Sequence, residues 1–251
     1  MKSAYEILKN DKELNNILDN INFNFNRLIN FANDTSGLNW SFACHGKHHA
    51  MFVVGITEYI LSALSYDGHT VELGKVAGLL HDIGVYYWRE NHARLSAEMC
   101  SHFVSKTNLN RNDLEIIYHA IIDHSTGTDI KNAVGAALII ADKMTDTERA
   151  APLRADLIKG GFTEAQLNKC ENPHAPNHSV AYAIKDVKLN ISGRNLIFNY
   201  FVEGDTDVFM NEYFIKKLKS TPIILTKNAA TYLLCDCIYQ INGAVIESKN
   251  I

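Results

Sequence analysis

The sequence predicts a mostly α-helical domain followed by a small α+β domain. Through the first part of the chain, apolar residues recur at three- and four-residue steps, which is the spacing of one face of a helix. The pattern of apolar residues changes near Pro173–Pro176. Two apolar runs separated by a glycine turn follow, as expected of strands. We therefore predict a helical domain over residues 1–178, with five or more core helices, and an α+β domain over residues 179–251.

The helices of the first domain follow from apolar spacing and from residues that begin or end helices. Residues 1–31 form one predicted helix, which a Thr-Ser-Gly turn at 35–37 ends. The pattern then predicts helices over His49–Leu64 and Val71–Ile83, and Gly84 is expected to stop the second. Further helices are predicted at 93–106, 111–123 and 130–150, with Asn110 as the cap of the middle one.

The second domain is predicted from its strands. Ala183–Ile191 and Leu196–Val202 read as strands around a turn at Ser192-Gly193. A helix over Asp207–Leu218 and a strand through Tyr232–Ile241 are expected to follow. Nothing in this part of the sequence assigns the domain a role.

Composition narrows the classes of function. A formal charge of −4 and a pI near 6.2 provide no basic field for a nucleic acid polymer. The five cysteines are odd in number and lack the paired spacing of a zinc site, so reduced thiols are expected. The first residues lack the apolar core of a signal peptide, and the longest apolar run, Ala133–Ala141, is too short to span a bilayer. We therefore expect a soluble cytoplasmic protein that binds no membrane.

Histidine and aspartate occur in a fixed order between residues 49 and 142, and these side chains bind borderline-hard transition metals. The predicted ligands are His49, His81, Asp82, His92, His124 and Asp142. Most of them fall at predicted helix ends, where polar groups can leave an apolar packing face. Because Asp82 has two oxygens, we predict that it bridges two ions, with His49 and Asp142 on one ion and His92 and His124 on the other. His119 lacks the helical spacing to lie beside His124 and is not counted.

A pair of ions suits phosphoryl transfer, because two metals about 3.5–4 Å apart clamp the attacking and leaving oxygens. The expected cofactors are two divalent transition metal ions, Fe or Mn first, with Ni, Co or Zn as alternatives. The ions would also supply the positive charge that an acidic protein needs to hold a small anionic substrate.

This pattern resembles the HD superfamily of metal-dependent phosphohydrolases over about residues 40–150. The resemblance rests on His49, on the His81-Asp82 doublet in Leu-Leu-His-Asp-Ile-Gly, and on Asp142 in Ala-Asp-Lys. His92, and His124 in Asp-His-Ser-Thr-Gly, resemble the extra ligands of the dinuclear branch, which includes the bacterial dinucleoside tetraphosphate hydrolases. The resemblance implies a helical HD domain that hydrolyses a phosphorylated small molecule or nucleotide through a metal-activated hydroxide.

Three further residues are candidates for catalysis beside Asp82. The stretch Cys-His-Gly-Lys-His-His-Ala at 44–50 is similar to a motif of the cyclic nucleotide phosphodiesterases, which implies that His45 is a general acid. Arg149 shares a helical face with Asp142, so it could hold a substrate phosphate as a planar fork, with Lys143 as a second cation. A solvated charge run with an internal ion pair is the alternative for these two cations.

Some residues of this sequence differ from the pattern of particular branches of the family, so the resemblance does not identify the substrate. Val85 stands where the cyclic-dinucleotide phosphodiesterases have a lysine, and their Gly-Tyr-Pro signature does not occur. Two other functions stay possible: a mixed-valent diiron oxygenase, which has the same ligand set, and a metal-stabilised sensing module. The expected partner is a small phosphorylated or nucleotide substrate, and homo-oligomerisation stays open.

Overall fold

The computed structural model describes residues 2–21, 45–88, 90–144, 184–202, 204, 206 and 221–246. The first part of the chain contains helices α1 (Ala4–Lys9), α2 (12–21), α3 (Lys47–Ala63), α4 (Gly68–Leu80), α5 (His92–Val104), α6 (Arg111–Asp123) and α7 (Ala133–Lys143). The last part contains β1 (Ile184–Ser192), β2 (Asn195–Val202), α8 (Thr221–Tyr232), β3 (Asp236–Ile241) and β4 (Ala244–Val245). A helical region followed by a small strand-containing region confirms the predicted order of fold types.

The first predicted helix is two helices. The backbone leaves α1 at Asn10, and the Asp11 side chain accepts a hydrogen bond from the Leu14 N–H at the start of α2. Apolar spacing continues across this break, so periodicity alone could not reveal it. Residues 22–31 of the predicted helix lie outside the described residues.

Helix α7 is the centre of the helical core. All of its residues from Val134 to Asp142 are buried, and α3, α4, α6 and α8 pack against it. It is the longest apolar run of the sequence, and a helix that is apolar on all sides is typically buried. It begins at Ala133 rather than at the predicted residue 130, because the Asn132 side chain accepts a hydrogen bond from the Gly135 N–H.

Helices α3 and α4 are in close contact through a glycine. A Cβ atom at Gly78 would lie 3.1 Å from Val54 Cα, which is tighter than ordinary packing. Helix α4 begins after an Asp67 cap and ends at Leu80, so both predicted ends were wrong by three residues. Gly84 does not end it, because Ile83–Tyr86 form a separate 3₁₀ helix.

Helix α6 has its predicted bounds. Asn110 and Asp113 form a reciprocal capping box, in which each side chain accepts a hydrogen bond from the other's backbone N–H. This confirms Asn110 as the cap and fixes the start of the helix that leads to His124.

The C-terminal strands form one sheet in the order β1-β2-β3-β4. β1 and β2 pair antiparallel around a turn at Gly193, as the two predicted strands suggested. β2 and β3 pair parallel, and the connection between them contains α8. The predicted strand through Tyr232–Ile241 was wrong at its start: residues 221–232 are helical and the strand begins at Asp236.

Helix α8 joins the sheet to the helical core. It packs against α7, and the Tyr232 hydroxyl donates a hydrogen bond to the Lys131 carbonyl. Buried side chains of the helices and of the sheet form a single contiguous cluster. The boundary at residue 178 and the predicted helix over Asp207–Leu218 lie outside the described residues, so both stay predictions.

Two structural features concern membrane-spanning helices and the cysteines. Of the helices that the structure describes, none is both long and apolar enough to cross a bilayer. Cys100, Cys235 and Cys237 are free thiols, and burial raises the pKa of Cys100 to about 12 and that of Cys237 to about 11. A thiol with such a raised pKa is a poor nucleophile.

Candidate metal centre

Helix ends bring the six predicted ligands together. The first turn of α3 carries His49, the end of α4 carries the His81-Asp82 doublet, and α5 begins with His92. His124 is the C-cap of α6, and Asp142 is the penultimate residue of α7. A donor near a helix end can turn inward without interrupting the apolar face that packs the helix.

Four of these residues, His49, His81, Asp82 and Asp142, form what we call the inner set, and all four are buried. The Nε2 atoms of His49 and His81 lie 3.2 Å apart. They lie 3.3 and 3.1 Å from Asp82 Oδ2. His49 Nε2 also lies 3.3 Å from Asp142 Oδ1. The ligand atoms therefore face one point.

The outer set consists of Asp82, His92 and His124. The Nε2 atoms of the two histidines lie 3.2 Å apart, and 3.4 and 3.5 Å from Asp82 Oδ1. Asp82 thus turns one carboxylate oxygen to each set. Asp82 is therefore the one residue that the two sets share.

Backbone carbonyls orient two of the imidazoles. His81 Nδ1 donates a hydrogen bond to the Gly78 carbonyl at 2.8 Å, and His124 Nδ1 donates to the Ile121 carbonyl at 2.5 Å. Because a carbonyl only accepts, the proton of each neutral ring is on Nδ1 and the lone pair of Nε2 points into the cluster. Metal-binding histidines are held in this way in most proteins.

The chemistry of these donors fits divalent transition metal ions. Nitrogen lone pairs and carboxylate oxygens converge, and both buried oxygens of Asp82 accept no well-aligned hydrogen bond. A buried carboxylate costs much free energy unless it is paired or bound to a metal. A cation in each set would satisfy Asp82 and the imidazoles together.

The titration of the site follows from burial and charge. Burial opposes ionisation of Asp82, but His81 and His45 beside it hold the pKa of this carboxyl well below its usual range. Burial likewise disfavours a charge on His81, yet Asp82 and Asp142 outweigh burial and raise the pKa of its imidazole. Burial lowers the pKa of His124. An ion in the inner set would therefore have to displace a proton from His81, whereas His124 would be available as a neutral ligand.

Gly84 is a residue whose place beside the site sequence reasoning missed. A Cβ at this position would collide with the His92 carbonyl oxygen and lie 2.6 Å from the Ser96 nitrogen. The Gly84 N–H donates a hydrogen bond to Ser96 Oγ at 2.8 Å. The glycine therefore lets the doublet segment lie directly on the first turn of α5, which brings His92 to Asp82. Its place two residues after the doublet was the available signal.

The other candidate residues fall in different places. His45 is buried beside the cluster, with Nε2 at 4.0 Å from Asp82 Oδ2, and belongs to neither set. Lys143 Nζ lies 2.6 Å from Asp142 Oδ2, so its nearest anion is a predicted ligand. Arg149 lies outside the described residues. His119 also belongs to neither set.

A helical core that gathers a histidine, a His-Asp doublet and a later aspartate at one point defines a class of metal-binding helical domains. Residues 47–169 match the family model described as the HD domain, so this part of the chain is similar to HD domains. The match covers all six predicted ligands and helices α3 to α7, and it supports the family resemblance at the level of the domain.

A solved structure is similar to the chain as well. It is described as a predicted HD superfamily hydrolase from an uncultured Thermotogales bacterium. It is 21% identical, with a TM-score of 0.40, and the alignment covers 68% of this chain and 90% of that one. No curated protein gave a significant match.

Proposed function

We propose that the protein is a metal-dependent phosphohydrolase with a dinuclear centre, acting on a phosphorylated small molecule or nucleotide. The observation that supports this most is the placement of Asp82, whose Oδ2 faces the inner set while Oδ1 faces the outer set. The resemblance to the dinucleoside tetraphosphate hydrolases favours a nucleotide.

The donor set favours Fe or Mn. Imidazole and carboxylate ligands without a thiolate suit these ions, and Ni, Co or Zn are compatible alternatives. When bound, a metal pair supplies a nucleophile from water at neutral pH and neutralises charge on the phosphoryl oxygens.

The outer set is where the phosphoryl group is expected to enter. Three protein ligands leave coordination positions open, and the His92 side chain is 19% exposed while those of the inner set are buried. Catalytic metal sites characteristically keep such an open position. The substrate would therefore approach from the His92 side.

His45 is proposed as the proton donor to the leaving oxygen. Its ring lies 6.0 Å from the His49 ring and 6.1 Å from the His92 ring, at the border of the two sets. Imidazole is a common general acid, because it can both hold and release a proton near neutral pH.

Lys143 is better placed to act through Asp142 than on a substrate. Its ammonium occupies Asp142 Oδ2 and leaves Oδ1 directed at His49. This pairing orients the carboxylate in the inner set, as partners of metal ligands commonly do. Holding a substrate phosphate remains a role proposed for Arg149.

The test is metal analysis combined with a substrate panel. Protein purified without oxygen should contain two equivalents of Fe or Mn, and it should release phosphate from nucleotides or phosphomonoesters until a chelator removes the ions. Metal-loaded protein that leaves the whole panel intact would refute the hydrolase. Oxygen uptake with a phosphonate or polyol substrate would instead establish the diiron oxygenase.

A further inference from the structure

Two large aromatic side chains are exposed between the doublet and His92. Tyr87 is 60% exposed and Trp88 is 54% exposed. Scattered apolar residues are common on protein surfaces, but Tyr and Trp are enriched at interfaces because their rings have one apolar end and one end that stays in water. Neither residue contributes to the core or to the metal ligands.

The position of this segment is fixed by the cluster. The chain leaves the cluster at Asp82 and returns at His92, whose Nε2 lies 3.4 Å from Asp82 Oδ1. The Tyr87 and Trp88 N–H groups both donate to the Gly84 carbonyl at 3.0 Å. The four peptide units between Trp88 and His92 span at most about 15 Å. Tyr87 and Trp88 therefore lie on the short segment that joins Asp82 to His92, the partly exposed ligand of the outer set.

The Tyr87 ring is supported by its neighbour. The ring of half-buried Tyr86 meets it edge to face, with centroids 4.9 Å apart and planes at 79°. An aromatic side chain that is already oriented loses little conformational freedom when a ligand packs on it. The segment therefore presents a preformed aromatic surface.

We propose that Tyr87 and Trp88 form a stacking platform for a nucleobase of the substrate, whose phosphate lies at the outer set. The phosphate half of this assignment rests on the proposed function. Both exposed residues carry aromatic rings, and every nucleobase has a π-face that can stack on such a ring. A sugar phosphate without a base has no π-face to stack in this way.

Binding can be measured without hydrolysis, because Trp40 and Trp88 are the chain's two tryptophans. In a Trp40→Phe protein with its metals bound, adenosine monophosphate should quench Trp88 fluorescence saturably, and glycerol phosphate should not. Tyr87→Leu in this background should weaken binding about tenfold, as expected for loss of one stacking contact. Tyr232→Leu, a matched change at a 42% exposed tyrosine on α8, should leave binding unchanged.

Kinetics separate this proposal from the proposed function. In Trp88→Leu the ratio of kcat/KM for the nucleotide to that for glycerol phosphate should fall about tenfold, and in Tyr232→Leu it should not change. Saturable quenching without hydrolysis would refute the hydrolase and keep the platform. Hydrolysis with an unchanged ratio in Trp88→Leu would overturn the platform. Trp88 emission that changes with protein concentration and not with nucleotide would instead indicate an interface between copies of the chain.

Discussion

The inner and outer sets share Asp82 but differ in how they are built. The inner set draws on α3, α4 and α7, helices that pack directly on one another in the core. The outer set adds the first residue of α5 and the C-cap of α6, and its His92 is partly exposed. For the proposed dinuclear centre, this difference in burial suits the inner position to retaining an ion and the outer position to exchanging ligands.

The contacts that hold the ligand side chains in place also differ between the two sets. In the inner set, His81 is held by the Gly78 carbonyl and Asp142 by Lys143. In the outer set His124 is held by Ile121, whereas the approach of His92 depends on the contact of Gly84 with α5. Five changes test this comparison.

Asp82→Asn should have the largest effect because it affects both sets. An amide offers one weak oxygen donor in place of a bridging carboxylate, so both ions should be lost and activity should fall at least about 1,000-fold. Elemental analysis and phosphate release measure the two losses. Asp129→Asn, the same change at an exposed surface aspartate, is the control. Two retained equivalents of metal would refute the bridge.

Asp142→Asn should remove the inner ion. A bound ion raises the free energy of unfolding by about 1.4 kcal/mol for each factor of ten by which the metal concentration exceeds the Kd. Because the variant loses this contribution, its Tm in the presence of metal should fall by several degrees. Differential scanning fluorimetry with and without chelator measures this. An equal Tm for variant and wild type in saturating metal would contradict the retaining role of the inner set.

His92→Ala should remove the outer ion alone. One equivalent of metal should remain and activity should fall about 100-fold. The Tm should fall less than in Asp142→Asn, because the ion of the more exposed outer set is expected to bind less tightly. Elemental analysis together with calorimetry distinguishes the two variants. Loss of both equivalents would show that the sets do not load independently.

Gly84→Ala should displace the outer set although Gly84 is not itself a predicted ligand. The added methyl group would collide with the His92 carbonyl and the Ser96 nitrogen, so α5 must shift. We expect roughly a tenfold loss of activity with the inner ion retained, in line with other changes behind metal ligands. Gly55→Ala is the matched control, since a Cβ there meets nothing within 4 Å. Full activity in Gly84→Ala would remove this glycine from the site.

The smallest effect concerns pH. The pKa of His81 is raised, so below that pKa the metal-free protein holds a proton that an inner ion must displace. The inner affinity should then fall by up to about tenfold per pH unit as pH decreases. The pKa of His124 is lowered, so the outer affinity should change less over the same range. Manganese titrations of His92→Ala and Asp142→Asn at several pH values report each set separately; an equal pH dependence would contradict the assignment.

The local sequence pattern was sufficient to predict much of the helical fold. Helices α3 and α6 could be predicted within two residues because their apolar spacing and, for α6, a capping residue are encoded locally. Helix α8 was missed because Thr221–Tyr232 contains Pro222 and several β-branched residues, which have low helix propensity. Burial against α7 stabilises it as a helix, and no local pattern reports that contact.

The sequence alone was enough to predict which six side chains would serve as ligands and in what order they occur, because a His-Asp doublet at the end of an apolar helix can be recognised without coordinates. What only the tertiary structure decided is which oxygen of Asp82 faces which histidines, how deeply each set is buried, and why Gly84 cannot carry a side chain. These depend on how α3, α4, α5, α6 and α7 pack together. Helical periodicity states which face of a helix is apolar, but the distances between the ends of different helices are fixed only when their faces pack against one another.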